Sequence, residues 1–363
     1  MKFLHAGDVH LGAVPESGTR LGALRGGEIW EAFRDVVDLC EREQVDLLLL
    51  PGDLFHGQPL LKEVKEADYL FRSLTHTKVV LCAGNHDYLQ PKSHYYDVTF
   101  PENVTFLTDN REDSVYFPEL NVEVFGLSYE TKQISEPRYH FIKPSHPERI
   151  NILLAHGNVL CNDKSIPVQK DIVENNGFDY VALGHLHNRI EVSGRMVYSG
   201  SLEPLNRGEI GEKGYIIGEL EKEGNVPSKI EWNFVSHAKR QYLPVQVEVT
   251  PETTDLALIE KILEITNRWG REHMYLVTLT GTRSKEWNRN TEALVPILEK
   301  QGVFIISITD NTVPDFSVEI LQEQHKGTLV GRFIRRMDEE EDRALGSLAL
   351  QYGLQALLAR DES

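Results

Sequence analysis

The chain has 363 residues, which is long for one ordinary domain and predicts two, or one large domain with an appendage. At 40% hydrophobic and 26% charged it can bury a core, and no apolar run is long enough to span a bilayer. The net charge of −18 argues against a surface built throughout for nucleic-acid phosphates, although a cleft holding cations has its own local field. The first residues turn polar by Asp8, too soon for a signal peptide, so a cytoplasmic protein is expected. Three cysteines, Cys40, Cys82 and Cys161, have no zinc-ribbon spacing and are expected to be buried reduced thiols.

In chain order, residues 3–6 read as a strand and 28–42 as a helix with Ile29, Phe33, Val36, Val37 and Cys40 on one stripe. Residues 46–50 form a continuous apolar run, expected of a strand covered on both faces. A helix over 61–74 and a strand over 78–82 follow. Further strands are predicted at 122–127, 150–155, 180–183, 197–198, 215–220 and 230–235. Near residues 238–243 the pattern changes. Val245, Val247 and Val249 alternate as in a new strand, followed by a helix (256–265), a strand (275–279), a helix (291–300) and a strand (303–308). Beyond Asp315 the chain reads as helical. Leu329, Val330, Phe333, Ile334 and Met337 form one stripe, an acidic break spans 338–342, and Leu345, Leu348, Tyr352, Leu354, Leu357 and Leu358 form another. The expected domains are 1–237, a small α+β cap at 238–315, and a helical segment at 316–363.

Strand after strand in the first half ends in a small-residue turn that carries a carboxylate, amide or imidazole. Ligands of α/β proteins bind where such turns converge, at the carboxyl ends of strands. Asp8-Val9-His10 offers one carboxylate and one imidazole two residues apart, able to grip one ion. Gly52-Asp53 adds a carboxylate whose two oxygens can bridge two cations. Gly84-Asn85-His86-Asp87 adds an amide oxygen beside an imidazole, while His156-Gly157 and Gly184-His185-Leu186-His187 add three more imidazoles. Singly, His156 reads as a satisfied histidine at a strand end, and Asn85 and Asp87 as turn or cap residues. Five such turns in succession predict a dinuclear metal centre.

In that order, D-x-H, G-D-x-x, G-N-H-D, H-G and G-H-x-H resemble the calcineurin-like metallophosphoesterase superfamily. The narrower wording of Gly52-Asp53-Leu54-Phe55-His56, of 180–187 and of Tyr198-Ser199-Gly200-Ser201 resembles its DNA-repair exonucleases of the SbcD and YhaO type, over residues 1–235. The resemblance implies a four-layer α/β/β/α sandwich. It implies that Asp8, His10, Asp53 and His187 hold one divalent metal and Asp53, Asn85, His156 and His185 the other, with a hydroxide between them attacking phosphorus in line. His86 would then stabilise the phosphorane or protonate the leaving group, a role that suits an imidazole. The mixed oxygen and nitrogen donors accommodate manganese, iron, zinc or cobalt, and the resemblance favours manganese. It further implies DNA as substrate, dimerisation, and docking of the C-terminal helices on an SbcC-like coiled-coil ATPase; the same helices also read as packed on their own domain.

His56 stands where many phosphatase-type members carry an acid that orients the catalytic histidine. An acidic partner for His86 would have to be Asp87, or be absent, and His56 reads either as a site residue or as a surface histidine. Arg207 reads as a phosphate contact or a surface arginine, and Tyr88, Tyr95 and Tyr96 as base-stacking or packing residues. Two rivals to a DNA exonuclease remain. A small-molecule or nucleotide phosphodiesterase with the same metals is favoured by the acidic balance. A catalytically inactive binding scaffold is opposed by the competent residue at every ligand position.

Overall fold

The structure, a computed structural model, describes residues 1–160, 164–284, 290–315, 318–340 and 342–358, so that Cys161 lies outside it. These residues form two compact units, Met1–Tyr242 and the described residues from Leu243 onward.

The first unit runs β1 (Lys2–His5), α1 (Gly22–Arg42), β2 (Leu47–Pro51), α2 (Leu61–Arg72), β3 (Lys78–Cys82), β4 (Val104–Leu107), β5 (Asp113–Phe117), β6 (Val122–Gly126), β7 (Ile150–His156), α3 (Lys170–Glu174), β8 (Tyr180–Gly184), β9 (Ile190–Ser193), β10 (Met196–Tyr198), β11 (Gly214–Glu221) and β12 (Lys229–Ser236). One six-stranded sheet has the order β12-β11-β1-β2-β3-β4 and the other β5-β6-β7-β8-β10-β9. The central strands β1 to β4 run parallel, as do β6, β7, β8 and β10. Antiparallel strands form the margins, with β11 on β1 and β12 on β11 in the first sheet, and β5 on β6 and β9 on β10 in the second.

The side-chain period of two splits each central strand between two cores. In β2, Leu48 and Leu50 face α1 and α2, while Leu47 and Leu49 face the second sheet. In β7, Ile152 and Leu154 meet the first sheet, and Leu153 and Ala155 meet the outer layer. That is why the central strands read as unbroken apolar runs rather than alternating ones. Each fully buried leucine contributes roughly 1.5–3 kcal/mol relative to an exposed one. The layers are therefore helices, sheet, sheet and an outer layer, the expected α/β/β/α sandwich. The outer layer is thin: α3 has 5 residues, and the rest is loop and a 3-10 turn at Tyr139–Phe141.

Helix α1 begins at Gly22, six residues before the predicted start at 28. Gly26 and Gly27 mimic a helix boundary in sequence. The helix crosses them because Arg25, fully buried, pairs with Glu203 and Glu28 at 2.8 Å, and because Thr19 Oγ1 accepts from Gly22 N. Strands β4, β5 and β9, of 4, 5 and 4 residues, are too short to show a period in the sequence.

The second unit contains β13 (Tyr242–Val249), α4 (Asp255–Trp269), β14 (Met274–Arg283), α5 (Val295–Lys300), β15 (Phe304–Asp310), β16 (Val313–Pro314), α6 (Val318–Gln324), α7 (Leu329–Asp338) and α8 (Arg343–Leu358). Val247, Val249, Leu258, Ile262, Val277 and Leu279 share one core. The predicted helix over 291–300 opens as a 3-10 turn, Thr291–Leu294, because Pro296 admits α geometry only at a helix start. Leu321, Val330, Ile334 and Leu354 unite the last three helices, and Glu339, Glu340 and Asp342 of the acidic break lie between α7 and α8. No helix among the described residues is long and apolar enough to cross a membrane.

Candidate metal centre

Every predicted ligand lies at the carboxyl end of a parallel strand. Asp8 and His10 follow β1, Asp53 follows β2, Asn85 and His86 follow β3, His156 ends β7, and His185 and His187 follow β8. The backbone there is strained. Asp8, His10, Asp53 and His185 hold φ angles of 49°, 54°, 49° and 100°, a region that side chains other than glycine rarely occupy. Such strain persists where surrounding contacts over-determine it, and it marks functional sites. His185 N donates to both Asp8 carboxylate oxygens (2.8 and 2.9 Å), and Gly7 N donates to Ser199 Oγ (2.7 Å), joining the two sheets at the carboxyl ends of their strands.

Two glycines are required by this crowding. A Cβ on Gly84 would stand 2.2 Å from Asp53 Oδ1, and one on Gly52, at φ +87°, would stand 2.5 Å from His156 Nδ1.

The donor atoms converge on two positions. His10 Nε2 and His187 Nε2 are 3.0 Å apart. Asn85 Oδ1 lies 2.9 Å from His156 Nε2 and 3.1 Å from His185 Nδ1. Between the two groups, Asp53 Oδ2 is 3.3 Å from His156 Nε2 and 3.8 Å from His10 Nε2. Donors at right angles around an ion with bonds of about 2.1 Å stand about 3.0 Å apart. The spacings fit two ions sharing Asp53, and hard oxygen with imidazole nitrogen suits divalent transition metals. Asp8, His10 and His187 bring donor atoms within 4.8 Å of one another, as do Asp8, Asp53 and His156.

Burial and neighbouring charge compete across this cluster. Burial pushes the Asp8 carboxyl up and holds the His10 imidazole well below its ordinary value. At Asp53 burial acts upward, but the His156 ring beside it wins and holds the carboxyl below the usual carboxylate range. His156 shows the reverse: burial acts downward, is outweighed by Asp53 and Asp8, and leaves the ring pushed up to about 9.

Around this centre several predicted residues find different partners. His86 Nδ1 donates to the backbone carbonyl of His56 at 2.8 Å, and its ring is not oriented by Asp87. The buried Asp87 carboxylate accepts from Gly84 N (2.8 Å), Phe55 N (3.1 Å) and Tyr95 Oη (2.7 Å), so it shapes the loop that carries Asn85 and His86. Tyr95 is therefore a buried packing residue and unavailable for stacking, Tyr88 packs partly buried beside the second sheet's outer core, and Tyr96 is exposed. His56 joins the site, with its Nδ1 3.3 Å from His10 Nδ1. Arg207 is paired with Glu16 at 2.8 Å. Two site neighbours went unread in the sequence: Ser165, whose Oγ is 2.7 Å from His185 Nε2, and Glu209, whose Oε1 is 2.8 Å from His187 Nδ1. Among the described residues neither follows directly on a strand end that would flag it. Cys40 and Cys82 are buried free thiols.

The family model for calcineurin-like phosphoesterases matches residues 1–189, and the chain belongs to that family. That family is one of phosphoester hydrolases that use divalent metals. Among similar proteins, "Uncharacterized metallophosphoesterase YhaO" of Bacillus subtilis is 27% identical over 238 residues, covering 60% of this chain and 57% of the relative. "DNA double-strand break repair protein Mre11" of Aeropyrum pernix is 26% identical over 235 residues, covering 59% of this chain and 56% of the relative. The SbcD component of the SbcCD nuclease of Staphylococcus epidermidis is 26% identical over 262 residues, covering 61% of this chain and 66% of the relative. The chain thus spans less than two thirds of the length of each of these relatives.

Proposed function

We propose that this protein is a two-metal phosphodiesterase that degrades DNA from its ends. Asp8, His10, Asp53 and His187 hold one cation, and Asp53, Asn85, His156 and His185 the other, with Mn2+ as the working metal. The observation that carries this reading is the position of Asp53 Oδ2 between His10 Nε2 and His156 Nε2. When bound, the two cations neutralise phosphoryl oxygens and acidify water. The chain's own residues orient these events. A carbonyl only accepts, so the His56 backbone keeps a hydrogen on His86 Nδ1 and leaves Nε2 as the atom that takes up a proton and passes it to a leaving oxygen. Asp87 keeps that loop in shape without touching the reacting atoms.

DNA as substrate is supported by the two relatives whose names carry DNA break repair and nuclease activity. The net charge of −18 favours the second reading, a small-molecule or nucleotide diesterase with the same residues. We assign catalysis to residues 1–237, in the cytoplasm, and contact with an SbcC-like coiled-coil ATPase to the helices of 316–363, where Leu329, Leu345 and Tyr352 are exposed. The test is hydrolysis of end-labelled linear DNA with Mn2+, beside bis-p-nitrophenyl phosphate and the His86→Ala variant. Loss of label from the ends, abolished by the variant, supports the reading. Cleavage of the small diester alone selects the second.

A further inference from the structure

Glu209 lies outside the predicted ligand set, in the turn between β10 and β11, and is 6% exposed. Its Oε1 is 2.8 Å from His187 Nδ1, while Oε2 accepts from Leu205 N at 2.9 Å. The Asn206 side chain also donates to it. Lys213, 1% exposed, holds its ammonium 3.8 Å from Glu209 Oε2 and donates to His187 O (2.6 Å) and Asn188 Oδ1 (2.5 Å). One turn therefore grips both the ring and the backbone of His187.

A carboxylate only accepts, so it keeps the hydrogen on Nδ1 and frees the Nε2 lone pair. That Nε2 is the atom 3.0 Å from His10 Nε2. His156 is held differently: its Nδ1 meets the neutral backbone oxygen of Pro51 at 3.0 Å. A charged acceptor strengthens the donor power of an imidazole more than a neutral one does.

We propose that Glu209 is a positioning residue for the cation position formed by Asp8, His10 and His187, fixing the tautomer and orientation of His187 and raising the affinity of that position. The inference rests on the reading of His187 as a cation ligand. Glu209 touches neither substrate nor cation; it acts through the histidine.

The test is a Mn2+ titration of metal-stripped protein, following free Mn2+ by its electron paramagnetic resonance signal, for wild type, Glu209→Gln, Glu209→Ala and His187→Ala. Metal-free thermal melts of each variant accompany it. In Glu209→Ala one of two bound equivalents should weaken about 10–100-fold while the other changes less than about twofold. Glu209→Gln, which keeps an acceptor at Nδ1, should recover part of that loss. A lowered metal-free melt with both equivalents weakened together would mean a structural role and overturn the inference. If Glu209→Ala binds both ions as wild type does while His187→Ala loses one, Glu209 is not the positioning residue and the ligand reading stands. If His187→Ala also keeps both, the ligand reading falls and takes this inference with it.

Discussion

His10 Nε2 and His187 Nε2 meet at 3.0 Å although the two residues are 177 positions apart in the chain. Neither sits in a regular strand. Each is carried there by a strand of a different sheet, β1 or β8, and the meeting depends on the two sheets packing with their carboxyl ends aligned.

The position of Asp53 Oδ2 between His10 Nε2 and His156 Nε2 predicts a substitution that strikes metal binding and rate together. Mn2+ is expected to raise the melting temperature of the wild type, and Asp53→Asn should abolish that rise, since an amide neither bridges two cations nor balances their charge. Loss of about 4 kcal/mol of charge stabilisation corresponds to a rate on the order of 10³-fold lower. Diester hydrolysis with calorimetric melts at several Mn2+ concentrations checks both parts, and a variant that melts like wild type with metal refutes the bridge.

His86 should separate chemistry from metal binding. His86→Ala is expected to lower kcat by about 10²- to 10⁴-fold while both metal equivalents stay bound. Asp87→Asn should behave otherwise, lowering the melting temperature through its lost contacts to Gly84 N, Phe55 N and Tyr95 Oη. Parallel kinetics and metal analysis would expose the assignment as wrong if His86→Ala lost metal.

His5 makes acid stability testable away from the metals. Burial pulls its imidazole down to about 3, against the opposing hydrogen bond to Leu183 O, and its other nitrogen meets Tyr180 Oη at 3.0 Å. The folded chain refuses a proton that the unfolded chain accepts near pH 6.5, so stability falls as pH drops below that value and keeps falling toward the folded pKa. From pH 7.5 to 5.5 the loss from this group is roughly 1.4 kcal/mol. In metal-free urea melts His5→Gln should lose that much less than wild type over the same interval; an identical loss would remove His5 from the account.

Gly84→Ala should be costly despite adding one methyl group. Its Cβ would lie 2.2 Å from Asp53 Oδ1 and 2.6 Å from Asp53 N, so the Asp53 turn must move. A destabilisation of about 1–3 kcal/mol is expected, with weakened Mn2+ binding. Unchanged melting and metal affinity would count against the crowding described.

The buried thiols should be silent. Burial pushes the Cys40 thiol up to about 12 and Cys82 higher still. In a Cys161→Ser background, Ellman's reagent should titrate no thiol in the native protein and two after denaturation.

The sequence by itself determined which carboxylate, amide and imidazole side chains stand at the strand ends, and in what order. This was possible because burial on both faces writes a strand such as β2 as the run Leu47-Leu48-Leu49-Leu50, and because each turn that follows carries a glycine beside its polar side chain. Those signals are local and survive in one dimension. Partnerships between distant turns do not. That His86 is oriented by the His56 carbonyl, that Asp87 and Tyr95 serve the loop, that Glu203 draws Arg25 and so starts α1 early, and that Glu209 holds His187 were decided by the packing of two sheets and their loops. A buried polar group must find a partner, and which partner is within reach is a property of the folded arrangement alone.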